Sequence, residues 1–271
     1  MLRKLDKWLA SFQEYRKLRG ALQMPVLLNS IPKSGTHLLS NMLFSIPHTH
    51  MVADLTDADK LSDPTARLEY VRRLAVQKEA GDLYIGHIPY SPEIAQFFAE
   101  NGVKQVFVFR EPRDVSVSMY HYVMKPKGGH YHFPLFNSME NDSQRLMTVI
   151  EGYGKGKEEY EVGPDAVPSL HHYYEAYLPW LNAPNTLALR FEDLISPDLK
   201  SATIQKLLNF LEVPQSEEKI QKMVRLGQNP KNSSTFRKGK AGSWAEEYLP
   251  EHHQAFEKVG GKDLLQKMGY E

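Results

Sequence analysis

The chain contains no cysteine. That excludes disulfides, thiolate metal centres and a cysteine nucleophile, and it fits a reducing compartment. No apolar run approaches the ~18 residues that a membrane-spanning helix needs. The first twenty residues, MLRKLDKWLASFQEYRKLRG, carry charges every few positions where a signal peptide would have an apolar core. A cytoplasmic protein is expected, with no membrane span. Excess charge is missing too, since Lys+Arg and Asp+Glu are 33 each. There is thus no broad basic field for nucleic acid, and any anion site must be a local cluster. Internal repeats and low-complexity stretches are also lacking.

What is present suits a globular enzyme. The 271 residues, 41% of them hydrophobic, can bury one large core. Leu2, Leu5, Leu9 and Phe12 fall near helical spacing, which predicts an N-terminal helix over 1–22, docked on its own domain in preference to the competing reading of contact with a membrane surface. MPVLLNSI (24–31), DLYIGHI (82–88), VKQVFVFR (103–110) and part of NTLALRFEDL (185–194) read as strands. Helical patterns follow them: HLLSNMLFSI, SPEIAQFFAE with Ser91 as cap, RDVSVSMYHYVM, and SPDLKSATIQKLLNFLEV capped by Ser196. Continuous apolar strands alternating with helices imply a mostly parallel sheet buried on both faces. The expected fold is therefore a single three-layer α/β domain over 1–271, a central sheet flanked by helices. Two long stretches interrupt the alternation: 125–172, rich in Gly, Pro and aromatics, and the basic loop 227–243. Loops of that length are usually binding elements.

Three stretches carry chemistry. SIPKSGTHLLSNML (30–43) follows a strand and opens a helix, the geometry that presents free backbone N–H groups to an anion. It is not a Walker A loop, G-x-x-x-x-G-K-[ST], because Lys33 precedes Gly35 and no glycine opens it. Gly35 permits close approach, Thr36 offers a hydroxyl and Lys33 a charge; the competing reading is a plain turn with a surface lysine. FREPRDVSVSMYHY (109–122) places Arg110 at a strand end, where open α/β sheets bind ligands. A nucleotide hydrolase has a magnesium-binding acid there. Arg110 could instead fork onto a phosphate, with Ser118 in the next helix, or form an ion pair with Glu111 or Asp114. FRKGKAGSW (236–244) gathers Arg237, Lys238 and Lys240 around Gly239, either as a phosphate nest or as a solvated basic loop.

Taken in order, the P-K-S-G-T loop, R-x-P-R-D-x-x-x-S, the fragment LRFEDL (189–194) and the late R-K-G resemble the cytosolic sulfotransferase family, over about residues 25–245. The resemblance implies a P-loop-like α/β domain. It also implies use of 3′-phosphoadenosine-5′-phosphosulfate (PAPS), with release of the desulfated product PAP and no metal. By position, Lys33, Ser34, Gly35, Thr36 and His37 would hold the 5′-phosphosulfate, and Arg110, Ser118, Arg237, Lys238 and Gly239 the 3′-phosphate. Phe191 stands where the family's Y-E-D-L has tyrosine, and keeps a stacking face. The family's strand-end histidine, in a K-x-H-x-P context, corresponds to His87 in YIGHIPYSPE, which would be the base that deprotonates the acceptor. Lys33 would stabilise charge on the leaving phosphate, and the resemblance suggests that Ser118 engages Lys33 until acceptor arrives.

The sequence departs from the pattern at several positions. Ile85 replaces the lysine of K-x-H, His37 and Leu38 stand where an adenine-stacking aromatic is usual, and the C-terminal dimerisation motif has no counterpart. The expected partner is a small-molecule acceptor bearing a hydroxyl or amine, with 125–172 as the acceptor-side insertion. Tyr120, Tyr122, Tyr131, Phe133, Phe136, Tyr153, Tyr173 and Tyr174 either line its pocket or anchor the insertion. The histidine pairs 48/50, 130/132 and 171/172 lack a third ligand and are read as solvated or acceptor-facing. The alternative function is an ATP-using P-loop kinase, and a further one a non-catalytic nucleotide-binding regulator.

Overall fold

The computed structural model describes residues 21–75, 79–125, 129–227 and 239–270. The expected N-terminal helix, apart from its last two residues, lies outside the described residues, as do Arg237 and Lys238.

Five parallel strands form one sheet in the order β2-β3-β1-β4-β5: β1 Val26–Ser30, β2 His50–Leu55, β3 Asp82–Gly86, β4 Lys104–Phe109 and β5 Thr186–Arg190. β1 is buried throughout, as its run of apolar residues requires for a central strand. Alternate side chains of the strands feed two cores. Leu27, Tyr84, Phe107 and Phe109 face one layer, while Val26, Leu28, Leu83, Val106 and Val108 face the other. That alternation gives the three layers expected from the sequence. One helical start of the reading shifts. Ser196 Oγ accepts from the amides of Asp198 and Leu199, capping a turn, and the helix proper begins later, at Lys200. β2 was not anticipated at all; it is an edge strand with mostly exposed or half-buried residues.

The helices used below are α1 Thr36–Leu43, α2 Pro64–Leu74, α3 Pro92–Glu100 and α4 Pro112–Val123. α1 packs Leu39, Met42 and Leu43 beneath the second layer's core. α4 forms despite its valines because Pro112 sets its first turn and Glu111 caps it, accepting from the amides of Arg113 and Asp114. Ser91 caps α3 through the amide of Ile94. Among the described residues no helix is long and apolar enough to cross a membrane.

The strand order matters for chemistry. β1 lies between β3 and β4, so the chain winds outward in both directions from it, and the crevice beyond the carboxyl ends there is where such sheets bind ligands. Read along that edge, the residues that follow the strands are Thr56 (β2), His87 (β3), the Lys33 loop (β1), Arg110 (β4) and Phe191 (β5).

Candidate active site

The loop after β1 turns tightly, with the Ser34 amide donating to the Ile31 carbonyl at 3.1 Å. Lys33 (φ 71°) and Gly35 (φ 103°) both take left-handed backbone, a conformation that costs a non-glycine residue energy and tends to persist at functional sites. Gly35 is required for a second reason: a Cβ there would lie 2.7 Å from Phe191 Cδ2. The loop delivers the chain to α1, whose first-turn amides have no intrahelical acceptor. Ser34 is fully buried and its Oγ has no hydrogen-bond partner. A buried hydroxyl left unpaired beside the free amides of a helix start is chemistry that suits an oxyanion.

Lys33 Nζ lies 4.1 Å from the centroid of the Tyr122 ring, a cation–π contact. Burial, with Lys125 and Arg110 nearby, lowers its pKa to about 7. Ser118 sits on the cavity wall one turn before Tyr122. Among the described residues Lys33 makes no hydrogen bond to Ser118, so tyrosine, not serine, is its resting partner. His37 is an exposed member of the wall, and burial followed by Lys33 lowers its pKa.

Arg110 is 7% exposed and makes three contacts. Its Nη2 donates to the Lys240 carbonyl at 2.7 Å and lies 3.2 Å from Asp114 Oδ2, and its guanidinium stacks 4.4 Å from the Phe191 ring centroid. The structural ion pair considered from sequence is thus real, with Asp114 as partner; Glu111 pairs with Arg113 at 2.6 Å. The pair has a further use. Asp114, 1% exposed, also accepts from the Gly242 amide, the Ser243 hydroxyl and the Trp244 amide, each within 3.0 Å. It latches the end of the late basic loop against Arg110, bringing Gly239 and Lys240 to the cavity wall. Arg110 Nε remains buried and unpaired, a second donor without an acceptor. Phe191, expected as a ligand-stacking face, is 5% exposed, with its ring taken up by Gly35 and Arg110. It lines the cavity chiefly as the wedge between the Gly35 loop and Arg110.

His87 follows β3. Its Nδ1 lies 2.9 Å from the Ser30 carbonyl and 3.1 Å from Ser30 Oγ, which in turn is 2.7 Å from Thr36 Oγ1. A carbonyl only accepts, so Nδ1 carries the proton and Nε2 is the basic nitrogen. Burial lowers the imidazole to about 4, against the raising effects of the Ser30 hydrogen bond and Asp54. The ring is neutral at physiological pH. Its backbone is pinned by Asn29, fully buried, whose amide pairs reciprocally with the next residue: the Ile88 N–H donates to Oδ1 at 2.8 Å and Nδ2 donates to the Ile88 carbonyl at 3.1 Å. Trp180 Nε1 donates to the same carbonyl at 2.8 Å.

These groups share one cavity of about 1310 Å³, above the ~300–1,000 Å³ typical of a single small ligand and roomy enough for a nucleotide with a second molecule beside it. Lys33, Gly35, Thr36, His37, His87, Arg110, Ser118, Phe191 and Gly239 all line it; Ser34 is enclosed just behind the loop. Of the eight aromatics considered for the acceptor pocket, only Tyr122 reaches its wall. Phe136 and Tyr174 are core residues instead, and Tyr174 donates to the Arg110 carbonyl. The insertion contributes His130 to the wall, and packs Tyr160 and Val162 against the 59–62 segment beyond β2. Sequence reasoning missed Asp54, Asp57 and Asp59, also on the wall, because they belong to the unanticipated edge strand and the turn after it. It missed the Asp114 latch too, whose partners lie 128–130 residues away.

Among the described residues one group has metal-like spacing, His171 with Glu175 and Asp263. Lys267 bridges both carboxylates at 2.7 and 2.8 Å, placing an internal cation where an ion would sit.

Comparison with known proteins gives a consistent family. Residues 23–269 match the family model described as Sulfotransferase domain. A rabbit (Oryctolagus cuniculus) protein named amine sulfotransferase is 24% identical over 268 residues, covering 88% of this chain and 80% of the relative. Cytosolic sulfotransferase 17 of Arabidopsis thaliana is also 24% identical, over 259 residues, with coverages of 82% and 69%. Among solved structures, mouse sulfotransferase SULT7A1 complexed with PAP superposes with a TM-score of 0.63 at 20% identity, covering 94% of this chain and 88% of that one. At that identity the likeness speaks for the fold.

Proposed function

Because this chain belongs to the sulfotransferase-domain family, a family of sulfuryl-transferring enzymes, we propose that its cavity binds PAPS and passes the sulfuryl group to a small hydroxyl- or amine-bearing acceptor. The observation that carries this reading is that two separated sets of donors border one cavity: Lys33, Thr36 and the Gly35 loop after β1, with Ser34 Oγ buried and unpaired just behind them, and Arg110 beyond β4 with its Nε buried and unpaired. A donor with phosphates on two sides of its ribose fits two pockets; a linear triphosphate fits one. The acids that could hold magnesium beside Arg110 are already committed, Glu111 to Arg113 and Asp114 to Arg110 and the late loop, which disfavours the kinase alternative.

In this reading Lys33, Ser34, Thr36, His37 and the amides around Gly35 hold the 5′-phosphosulfate. Arg110, Ser118 and Gly239 hold the 3′-phosphate, joined by Arg237 and Lys238 from outside the described residues. When bound, PAPS supplies an activated sulfuryl group: the acceptor atom forms the new bond to sulfur, the S–O bond to the 5′-phosphate breaks with its electron pair on that oxygen, and the acceptor's proton passes to His87 Nε2. His87 is prepared for this by the Ser30 carbonyl, which fixes its tautomer. Its low basicity suffices because a hydroxyl becomes strongly acidic only as its oxygen bonds to sulfur, so proton transfer is late. Lys33 supplies the positive charge that the leaving oxygen needs. The cytosolic names of the plant relatives support a cytoplasmic setting, and the rabbit relative's name keeps amines among the candidate acceptors.

Calorimetric titration with PAP and, separately, with ATP and Mg²⁺ tests the reading. Tight PAP binding without magnesium is expected; preference for ATP with Mg²⁺ overturns it.

A further inference from the structure

Charge is unevenly placed around the cavity. Lys33, Arg110 and Lys240 follow β1 and β4 or come from the late loop, Glu192 and Asp193 follow β5, and Asp54, Asp57 and Asp59 line the opposite wall with Lys60 among them, from the end of β2 and the turn Thr56–Lys60. His87 stands between them, its amide contacting the Leu55 carbonyl of β2 at 3.4 Å. If the donor occupies the cationic side, the acceptor must lie against the acids.

One of those acids has an unmet need. Asp59 Oδ1 is buried without a hydrogen-bond partner, and Oδ2 receives only a 3.5 Å contact from the Tyr173 hydroxyl. A buried carboxylate that no cation bonds directly is costly to a fold. The two cations near it are occupied elsewhere. Lys60 Nζ is held by Asp57 at 2.5 Å. Arg67 donates Nε to the Leu61 carbonyl at 3.0 Å and faces the Tyr160 ring. Tyr160, meanwhile, donates its hydroxyl to the Asp59 carbonyl, and its ring stacks on that of Tyr173. An unpaired carboxylate set among tyrosines is the chemistry that recognises an organic ammonium group. The charged and titratable groups around Asp59 are Lys60, Asp57, Arg67, Tyr131, Tyr160, Tyr173 and Tyr177, and burial is the main cause raising its carboxyl to about 7. A bound cation would restore its charge.

We propose that the acceptor carries a cationic amine, anchored by the Asp59 carboxylate with Asp57 and Asp54 beside it, while a hydroxyl or neutral amine elsewhere on the same molecule meets His87. The anchoring nitrogen cannot itself be the nucleophile, because its lone pair holds a proton. This specificity rests on the sulfuryl-transfer reading.

The test uses matched alcohols and phenols in cationic, neutral and anionic forms, such as 4-(2-aminoethyl)phenol, 4-ethylphenol and 3-(4-hydroxyphenyl)propanoate. Each is assayed for PAP release from PAPS by the full chain at pH 7.5. The cationic members are expected to exceed their neutral partners in kcat/KM by about tenfold or more, and Asp59→Asn to bring that ratio near one. A binding readout needs neither turnover nor the variant: phenethylamine, which lacks a hydroxyl, should bind the PAP-loaded protein by calorimetry, and 2-phenylethanol should bind more weakly. Equal kcat/KM for cationic and neutral members, no preference for phenethylamine, or an unchanged ratio in a folded Asp59→Asn protein overturns the proposal. Such results with PAP bound and neutral phenols sulfated leave the sulfuryl-transfer reading intact; no PAP binding and no turnover of any acceptor overturns both.

Discussion

Donor binding should draw a proton onto Lys33. In the ligand-free protein its amine titrates near 7, lowered first by burial and then by Lys125 and Arg110. A 5′-phosphate placed against it favours the ammonium and returns its pKa toward the usual value, about 10.4. Binding therefore takes up the fraction of a proton that the free amine lacks, about 0.1 at pH 6, about 0.5 at pH 7 and about 0.9 at pH 8. The sign follows from a lowered pKa: the binding energy supplied by the Lys33 charge is fully present below about pH 7, and above it each pH unit weakens affinity by about tenfold, or about 1.4 kcal/mol. pH 8 is diagnostic because phosphate monoesters ionise near 6 and contribute almost no protons there. Calorimetric titration of PAP at pH 8 in buffers of different ionisation enthalpy gives the uptake as a slope. A slope near 0.9 in the wild type that vanishes in Lys33→Met fits this electrostatic picture. A zero slope, or an equal slope in the variant, refutes it.

Two other substitutions probe the scaffold behind the site. Asp114→Ala removes the latch and leaves Arg110 buried without its partner, so the ligand-free protein should lose about 3–5 kcal/mol in urea denaturation; a loss under about 1 kcal/mol would contradict the latch. Gly35→Ala meets both a φ of 103° and a Cβ 2.7 Å from Phe191, so PAP affinity should fall by about 1–3 kcal/mol, measured by titration. Adding Phe191→Leu should recover the part due to the clash and leave the part due to φ.

What the sequence reveals about this molecule follows from the range of its interactions. The β1–loop–α1 unit is legible because VLLNS must be buried on both faces and because a strand leading through Gly35 into an apolar helix has few other geometries. β2 is not, since HMVADL is an edge strand with half its residues in solvent and no strong alternation. With β2 hidden, the acids at its end could not be placed opposite the donor loop. Arg110 was ambiguous between ligand and ion pair because one guanidinium has edges for both: one edge holds Asp114 and Lys240 while Nε stays unpaired. That double use depends on contacts across 130 residues. The aromatics near the insertion stayed open between pocket and anchor because composition does not say which way a tyrosine faces; Tyr120 and Tyr174 are buried where they brace the site from behind. His87 was found by its position in the motif, but its tautomer became readable only from the distance to the Ser30 carbonyl.

The central claim is that His87 Nε2 receives the acceptor's proton while other residues bind the donor. His87→Asn tests it most directly, because an asparagine amide can still donate to the Ser30 carbonyl from about the place of Nδ1 and has nothing at Nε2. Single-turnover transfer from PAPS to a sulfated acceptor should fall by about 10²–10⁴-fold, with the dissociation constant for PAP unchanged within about twofold. Transfer at the wild-type rate, or a loss of PAP binding equal to the loss of transfer, would contradict the account.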